Sequence, residues 1–343
     1  MNPAVRERLF GYDHAFDHVV VRAVTVGLAA LLLVVPVLFA VLRRTGRTTP
    51  ELDRELRRRY YSWLVLVPLL LVPILLGAAW VILGVGLLSL LCYREYARAT
   101  GLFRERSISV VIVLGILAVT FAVLDHWYGF FVAVTPLTVG LIAAVAILAD
   151  RPAGYIQRVA LGALGFLLFG TALGHLGYLA NDTHYRPLLI LILLAVEMND
   201  VFAFAVGKAV GRRPLAPNTS PRKTVAGSLG ALVLTTILVA CVGMFVYPRD
   251  YRIANGVGDA AAFYYLALLG AIIGVVGQLG DLMLSSIKRD LGIKDFGTLI
   301  PGHGGLLDRF DSVILVAPAA FHYIHYVAGV GLLEPTTVIS GGR

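Results

Sequence analysis

The segment from Gly280 to Asp311 concentrates chemistry that the rest of this apolar chain lacks. Asp281, Ser285 and Lys288 are spaced i, i+4 and i+7, so a helix puts all three on one face. Asp308 and Asp311 are spaced i, i+3 and share a face of the next helix. Between them Pro301-Gly302-His303-Gly304-Gly305 forbids regular structure and lets backbone approach a ligand closely. Five aspartates and four basic residues (Lys288, Arg289, Lys294 and Arg309) fall between positions 281 and 311. Carboxylates facing lysines and arginines suit a hard cation together with an anionic, phosphate-bearing ligand. Magnesium takes oxygen ligands and commonly bridges one or two carboxylates to substrate phosphates. The competing reading is a salt-bridge cluster that only holds two helices in register. It suits a single aspartate, which costs roughly 3 kcal/mol inside an apolar helix; it explains less well a whole cluster beside a glycine loop.

A second stretch has the same character. Glu197 and Asp200 are again i, i+3, and the loop after them, bounded by Pro214 and Pro221, presents Ser220, Arg222, Lys223 and Thr224. Hydroxyls beside fixed positive charge are a composition suited to gripping a triphosphate. Arg212 and Arg213, by contrast, read as an ordinary basic loop at a membrane face. His322 and His325 lack a matching carboxylate and read as core or interfacial residues, whereas His303 sits among the phosphate-binding candidates.

The elements that carry these residues are membrane helices. Of 343 residues 58% are hydrophobic and only 15% charged, against about 25% charged in soluble domains. A bilayer core needs about 20 apolar residues per helix. Runs that satisfy this lie near 19–42, 62–77, 79–97, 107–124, 128–149, 156–180, 186–206, 225–247, 261–287 and 310–333. The chain is therefore expected to be all-α, a polytopic integral membrane protein of about ten transmembrane helices, with Gly77 dividing the second from the third. Thr49 and Pro50 open a short polar helix running to about Tyr60, a basic surface element between the first two spans. The residues before the first span are too charged, and that span too long, for a cleavable signal.

Net charge is +8, but the basic residues lie between apolar runs and form no continuous stripe, which argues against nucleic acid and for anionic membrane lipid as the partner. Most of them fall in alternate loops, represented by Arg57, Arg94, Arg151, Lys223 and Lys288. The positive-inside rule puts those loops in the cytoplasm, both termini outside, and the candidate site at the cytoplasmic helix ends of a cell membrane protein. Cys92 and Cys241 lie within apolar runs and read as small core residues.

At this point the residues resemble a known signature. Ser285, Lys288-Arg289, Lys294-Asp295, Pro301, His303-Gly304-Gly305, Asp308-Arg309 and Asp311 match every fixed position of the phosphatidate cytidylyltransferase (CDP-diacylglycerol synthase) motif over 27 residues. Asp200, Ala203-Phe204, Gly207-Lys208, Leu215-Ala216-Pro217, Ser220-Pro221 and Lys223-Thr224 are similar to the family as well. The resemblance covers about 58–333, leaving 1–57 as an extra helix with a basic linker and 334–343 as a short tail. It implies transfer of a cytidylyl group from CTP to phosphatidate, giving CDP-diacylglycerol and pyrophosphate, with Mg2+ as cofactor and a homodimer left open. Asp281 and Asp308 are then expected to hold the metal, with Asp311 and Asp295 as further candidates. Lys288, Arg289, Lys294 and Arg309 are expected to hold phosphates, and Asp200, Ser220, Arg222, Lys223, Thr224, His303, Gly304 and Gly305 to line the substrate site. One departure stands out: Lys223-Thr224 is followed by Val225-Ala226-Gly227, where the family carries a glutamate at the position of Ala226. Alternatives are nucleotidyl or phosphoryl transfer to another lipid phosphate or lipid alcohol, and an inactive relative or a transporter. A transporter usually shows paired repeats with broken helices in both halves, and no such repeat is evident.

Overall fold

A computed structural model describes residues 3–45, 49–182, 184–247, 257–300, 304–328 and 338–340. Its helices are α1 (Pro3–Phe10), α2 (Val19–Arg44), α3 (Pro50–Leu76), α4 (Ala78–Thr100), α5 (Arg106–Leu124) and α6 (Tyr128–Ile147). They continue with α7 (Tyr155–Leu179), α8 (Tyr185–Val210), α9 (Val225–Val246), α10 (Asp259–Asp290) and α11 (Leu307–Ala328). Helices dominate because hydrocarbon offers backbone groups no water partner, so each span must satisfy its own hydrogen bonds. Among the described residues nine helices, α2 to α10, are long and apolar enough to cross a membrane. α11 spans 22 residues but is diluted by Asp308, Arg309, Asp311, His322 and His325, and does not join that set.

Two boundaries differ from expectation. The polar segment after Thr49 is not a separate surface helix but the first turns of α3, which runs unbroken from Pro50 to Leu76. Nothing between Tyr60 and Ser62 breaks a helix, and the i, i+4 pairs Asp53–Arg57 and Glu55–Arg59 support those turns. Thr49 does cap it, accepting from the Leu52 amide at 3.3 Å. The segment expected to be an irregular loop forms an antiparallel hairpin, β1 (Pro214–Ala216) with β2 (Ser220–Thr224), pairing Pro214 with Thr224 and Ala216 with Ser220. The body is otherwise all-α. α7 is also not uniform, because it widens to π turns over Phe166–Ala172.

Gly77 divides α3 from α4 at φ 140°, a backbone conformation that favours glycine, and a side chain there would strike the Leu9 carbonyl of α1. Arg186, entering α8, donates to the Ile74 carbonyl at 3.2 Å and to the Gly11 carbonyl, so α1, α3 and α8 are tied at this corner. From α8 onward the helices α8, α9, α10 and α11 pack successively against one another. Small residues make that possible. A Cβ on Gly270 would come 2.8 Å from the Thr236 Cα of α9, and one on Gly280 2.7 Å from the Asp311 carbonyl of α11. Cross-helix hydrogen bonds reinforce the contacts: Thr235 donates to Asn199 at 3.1 Å, and Ser228 pairs with Gln278. Cys92 is buried as expected, but Cys241 faces outward.

Candidate active site

The close approach at Gly280 delivers Asp281, the next residue of α10, beside the start of α11. Ser285 donates to the Asp281 Oδ1 at 3.2 Å, so the helical face read from spacing is formed. Asp281 also pairs with Lys223 at the end of β2, and Arg289 Nε donates to the Thr219 carbonyl in the hairpin turn at 3.3 Å. The two polar stretches, far apart in sequence, are therefore one constellation.

Asp308 lies deeper. Its Oδ1 accepts from Lys288 Nζ at 2.9 Å, and its Oδ2 accepts from the amides of Phe296 and Gly305, each at 2.9 Å. Only 4% of the Asp308 side chain and 11% of the Lys288 side chain is exposed, so this ion pair is largely shielded from water. The aspartate thus closes the loop between α10 and α11 on itself. Ile300 adds to the closure by donating to the Gly304 carbonyl at 2.9 Å. Gly304 holds φ at +85°, where a Cβ would press between the carboxylates of Asp308 and Asp295.

A residue that the sequence reading did not single out completes the arrangement. Glu95, buried near the end of α4, accepts from the Leu306 amide at 3.0 Å and the Leu307 amide at 2.8 Å. The first amides of a helix have no intrahelical acceptor, and a carboxylate there also meets the positive end of the helix dipole. A Cβ on Gly297 or Gly305 would come within 2.9 Å of the Glu95 carboxyl carbon, so both glycines make room for it. A signal was present: a glutamate within the apolar run 79–97 needs a partner as much as Asp281 does.

Asp200, Asp281 and Asp311 lie within electrostatic reach of one another, and Lys223, Lys288 and Arg309 act on members of the same trio. Asp311 is buried and accepts from the Ser312 amide at 2.8 Å, whereas Asp200 and Glu197 are accessible. Arg222, Arg289, Lys294, Asp295 and Arg309 are exposed, and Ser220 is half-buried. Thr224 caps α9, its Oγ1 accepting from the Gly227 amide at 3.1 Å, so its first role is structural. His303 lies outside the described residues. Among the described residues no three metal-capable side chains already surround one point. The donors nonetheless fit magnesium. They are hard carboxylate oxygens, each with two acceptor sites, and the Asp308 Oδ1 spends one of its two on Lys288. Chemically, the arrangement can gather two polyanions at helix ends and balance their charge.

A model of the cytidylyltransferase family matches residues 57–327. The chain is 34% identical over 257 residues to the uncharacterized protein YnbB of Escherichia coli (strain K12), across 73% of this chain and 81% of that one. It is 31% identical over 261 residues to a phosphatidate cytidylyltransferase of Staphylococcus haemolyticus, across 74% of this chain and 94% of that one. Against a phosphatidate cytidylyltransferase of Rickettsia bellii the identity is 36% over 161 residues, spanning 46% of this chain and 66% of that relative.

Proposed function

Because the chain belongs to the cytidylyltransferase family, we propose that it is a nucleotidyltransferase that moves the cytidylyl group of CTP to phosphatidate, giving CDP-diacylglycerol and pyrophosphate. The observation that carries this is the pairing of Lys223 with Asp281 and of Lys288 with Asp308, which ties the basic hairpin to α10 and α10 to α11. A phosphatidate oxygen attacks the α-phosphorus of CTP, the new P–O bond forms, and the bond to the β-phosphate oxygen breaks to release pyrophosphate. The nucleophile is already anionic at neutral pH, so the site needs no strong general base. Its work is in-line positioning and charge balance.

Lys223, Arg222 and Arg289 bind the triphosphate from the hairpin side, with Ser220 beside them. Lys288, Lys294 and Arg309 hold the lipid phosphate and the departing pyrophosphate on the side of the glycine loop, with His303, Gly304 and Gly305. Asp281 and Asp308 would hold magnesium, with Asp311, Asp295 and Asp200 as further carboxylates of the same site. When bound, the ion supplies neutralisation of phosphate charge. Basic-loop bias supports a site at the cytoplasmic face of the cell membrane, where CTP would arrive from water and phosphatidate from the leaflet.

The test is product analysis on purified protein in neutral lipid with Mg2+, phosphatidate and CTP labelled at either the α or the γ phosphorus. Label from the α position should enter the lipid and label from the γ position should leave as pyrophosphate. Transfer of γ label to lipid with release of CDP would show a kinase and overturn the proposal.

A further inference from the structure

The glycine loop that carries Gly305 and leads into Asp308 also borders α3 and α4. There Leu299, Ile300 and Leu306 meet Leu66 and Leu69 of α3 and Leu91 of α4 around an apolar groove of about 540 Å3. A narrower apolar cleft of about 190 Å3 shares Leu69, Leu91 and Leu306 with it and continues to Pro73 and Ile74. From Arg58, which lines the mouth, to Ile74 the helix rises about 24 Å, more than the roughly 15 Å occupied by the chains of one leaflet.

Arg58 makes the groove specific. Its neighbours on α3 are each committed: Arg54 pairs with Glu51, Arg57 with Asp53 and Arg59 with Glu55. Among the described residues Arg58 has no carboxylate partner, and with Tyr61 and Ser62 it lines one end of the α3 wall of an otherwise apolar trough. Ser62 adds no second charge there; its hydroxyl donates to the Arg58 carbonyl at 3.2 Å. A long apolar trough with one free cation at its mouth has the polarity of an anionic amphiphile. Its inner wall, Leu306, is two residues from Asp308.

We propose that this groove seats an acyl chain of the phosphatidate substrate, with Arg58 attracting the anionic headgroup at the mouth before Lys288, Lys294 and Arg309 take the phosphate. The inference deepens the cytidylyltransferase reading and rests on it for the identity of the lipid. The occupant presses directly on the loop whose amides hold Asp308, so chain length is felt at the reacting end. A loosely associated bulk lipid would give no such dependence.

The experiment compares dipalmitoyl and dioctanoyl phosphatidate in neutral phosphatidylcholine vesicles. Leu69→Trp fills the trough; Leu69 is 56% exposed and Val65 is 65% exposed, so Val65→Trp serves as a second variant that folding tolerates. The wild type should favour the long chain, and either tryptophan should reduce the long-to-short ratio of kcat/KM at least tenfold. Arg58→Gln should raise the KM for both lipids about tenfold without moving the KM for CTP. An unchanged ratio in both tryptophan variants overturns the proposal, as does an Arg58→Gln effect on CTP alone. A phosphatidate with a diazirine in its acyl chain gives a readout independent of turnover. It should cross-link to α3 and the glycine loop in the wild type and much less in Leu69→Trp. A wild type that cross-links there but makes no CDP-diacylglycerol refutes the assigned activity and not the groove; an active wild type with no such cross-link refutes the groove alone.

Discussion

Glu95, one buried carboxylate from α4, holds the start of α11. It accepts from two amides at 3.0 and 2.8 Å, and the Leu306 and Leu307 side chains that flank them are 5% and 0% exposed. Hydrogen bonds to a charged group are worth about 1.5–3 kcal/mol each, so the pair contributes roughly 3–6 kcal/mol. Glu95→Gln keeps the shape and one acceptor oxygen but turns an NH2 group toward the second amide. It should therefore cost about 2–4 kcal/mol, the sum of one lost charge-assisted bond and the weakening of the other. The assay is thermal unfolding in detergent micelles beside initial-rate kinetics. The variant should melt several degrees lower. Its kcat should fall about 10- to 100-fold, equivalent to about 1.4–2.8 kcal/mol of barrier, because the loop that positions Asp308 loosens. Glu95→Ala, which leaves both amides unsatisfied, should be worse on both measures. An unchanged melting temperature and unchanged kcat in Glu95→Gln would refute the assignment.

Other outcomes follow from the same contacts. Asp308→Asn breaks a shielded ion pair with Lys288, so it should lose activity and also about 3–5 kcal/mol of stability. Asp281→Asn, whose pair with Lys223 is about one-fifth exposed, should be as inactive but markedly more stable; equal melting temperatures for the two would count against the difference in burial. Gly280→Ala forces a Cβ into the α11 backbone and should cost about 1–3 kcal/mol with a loss of magnesium-dependent activity, read by melting and by a magnesium titration. Ala226→Glu adds a carboxylate in the first turn of α9, and should change kcat/KM by less than about tenfold, a 1.4 kcal/mol effect, with no loss of melting temperature. Single cysteines at Asn218 and Trp127 should be labelled by an impermeant reagent from opposite sides of the membrane; labelling from one side would place the hairpin away from the cytoplasm.

What the amino-acid sequence determined by itself is what depends on local composition. Spans such as α5, α9 and α10 are legible because partition into hydrocarbon is decided by each run of about 20 residues alone, and hydrocarbon then dictates a helix. The shared face of Asp281, Ser285 and Lys288 is legible for a similar reason, since helical period converts spacing into direction. The continuity of α3 through Tyr60 is not legible in composition, because a polar turn followed by apolar turns has the pattern of two elements although no residue there breaks the helix. Which partner each site charge takes was decided only by tertiary structure. Lys223 meets Asp281, Arg289 meets the Thr219 carbonyl, and Glu95 reaches amides 211 and 212 residues away. A charge or an orphan amide in a low-dielectric interior must be satisfied by something. The chain states that obligation residue by residue, but only the packing of α4, α10 and α11 chooses the group that meets it.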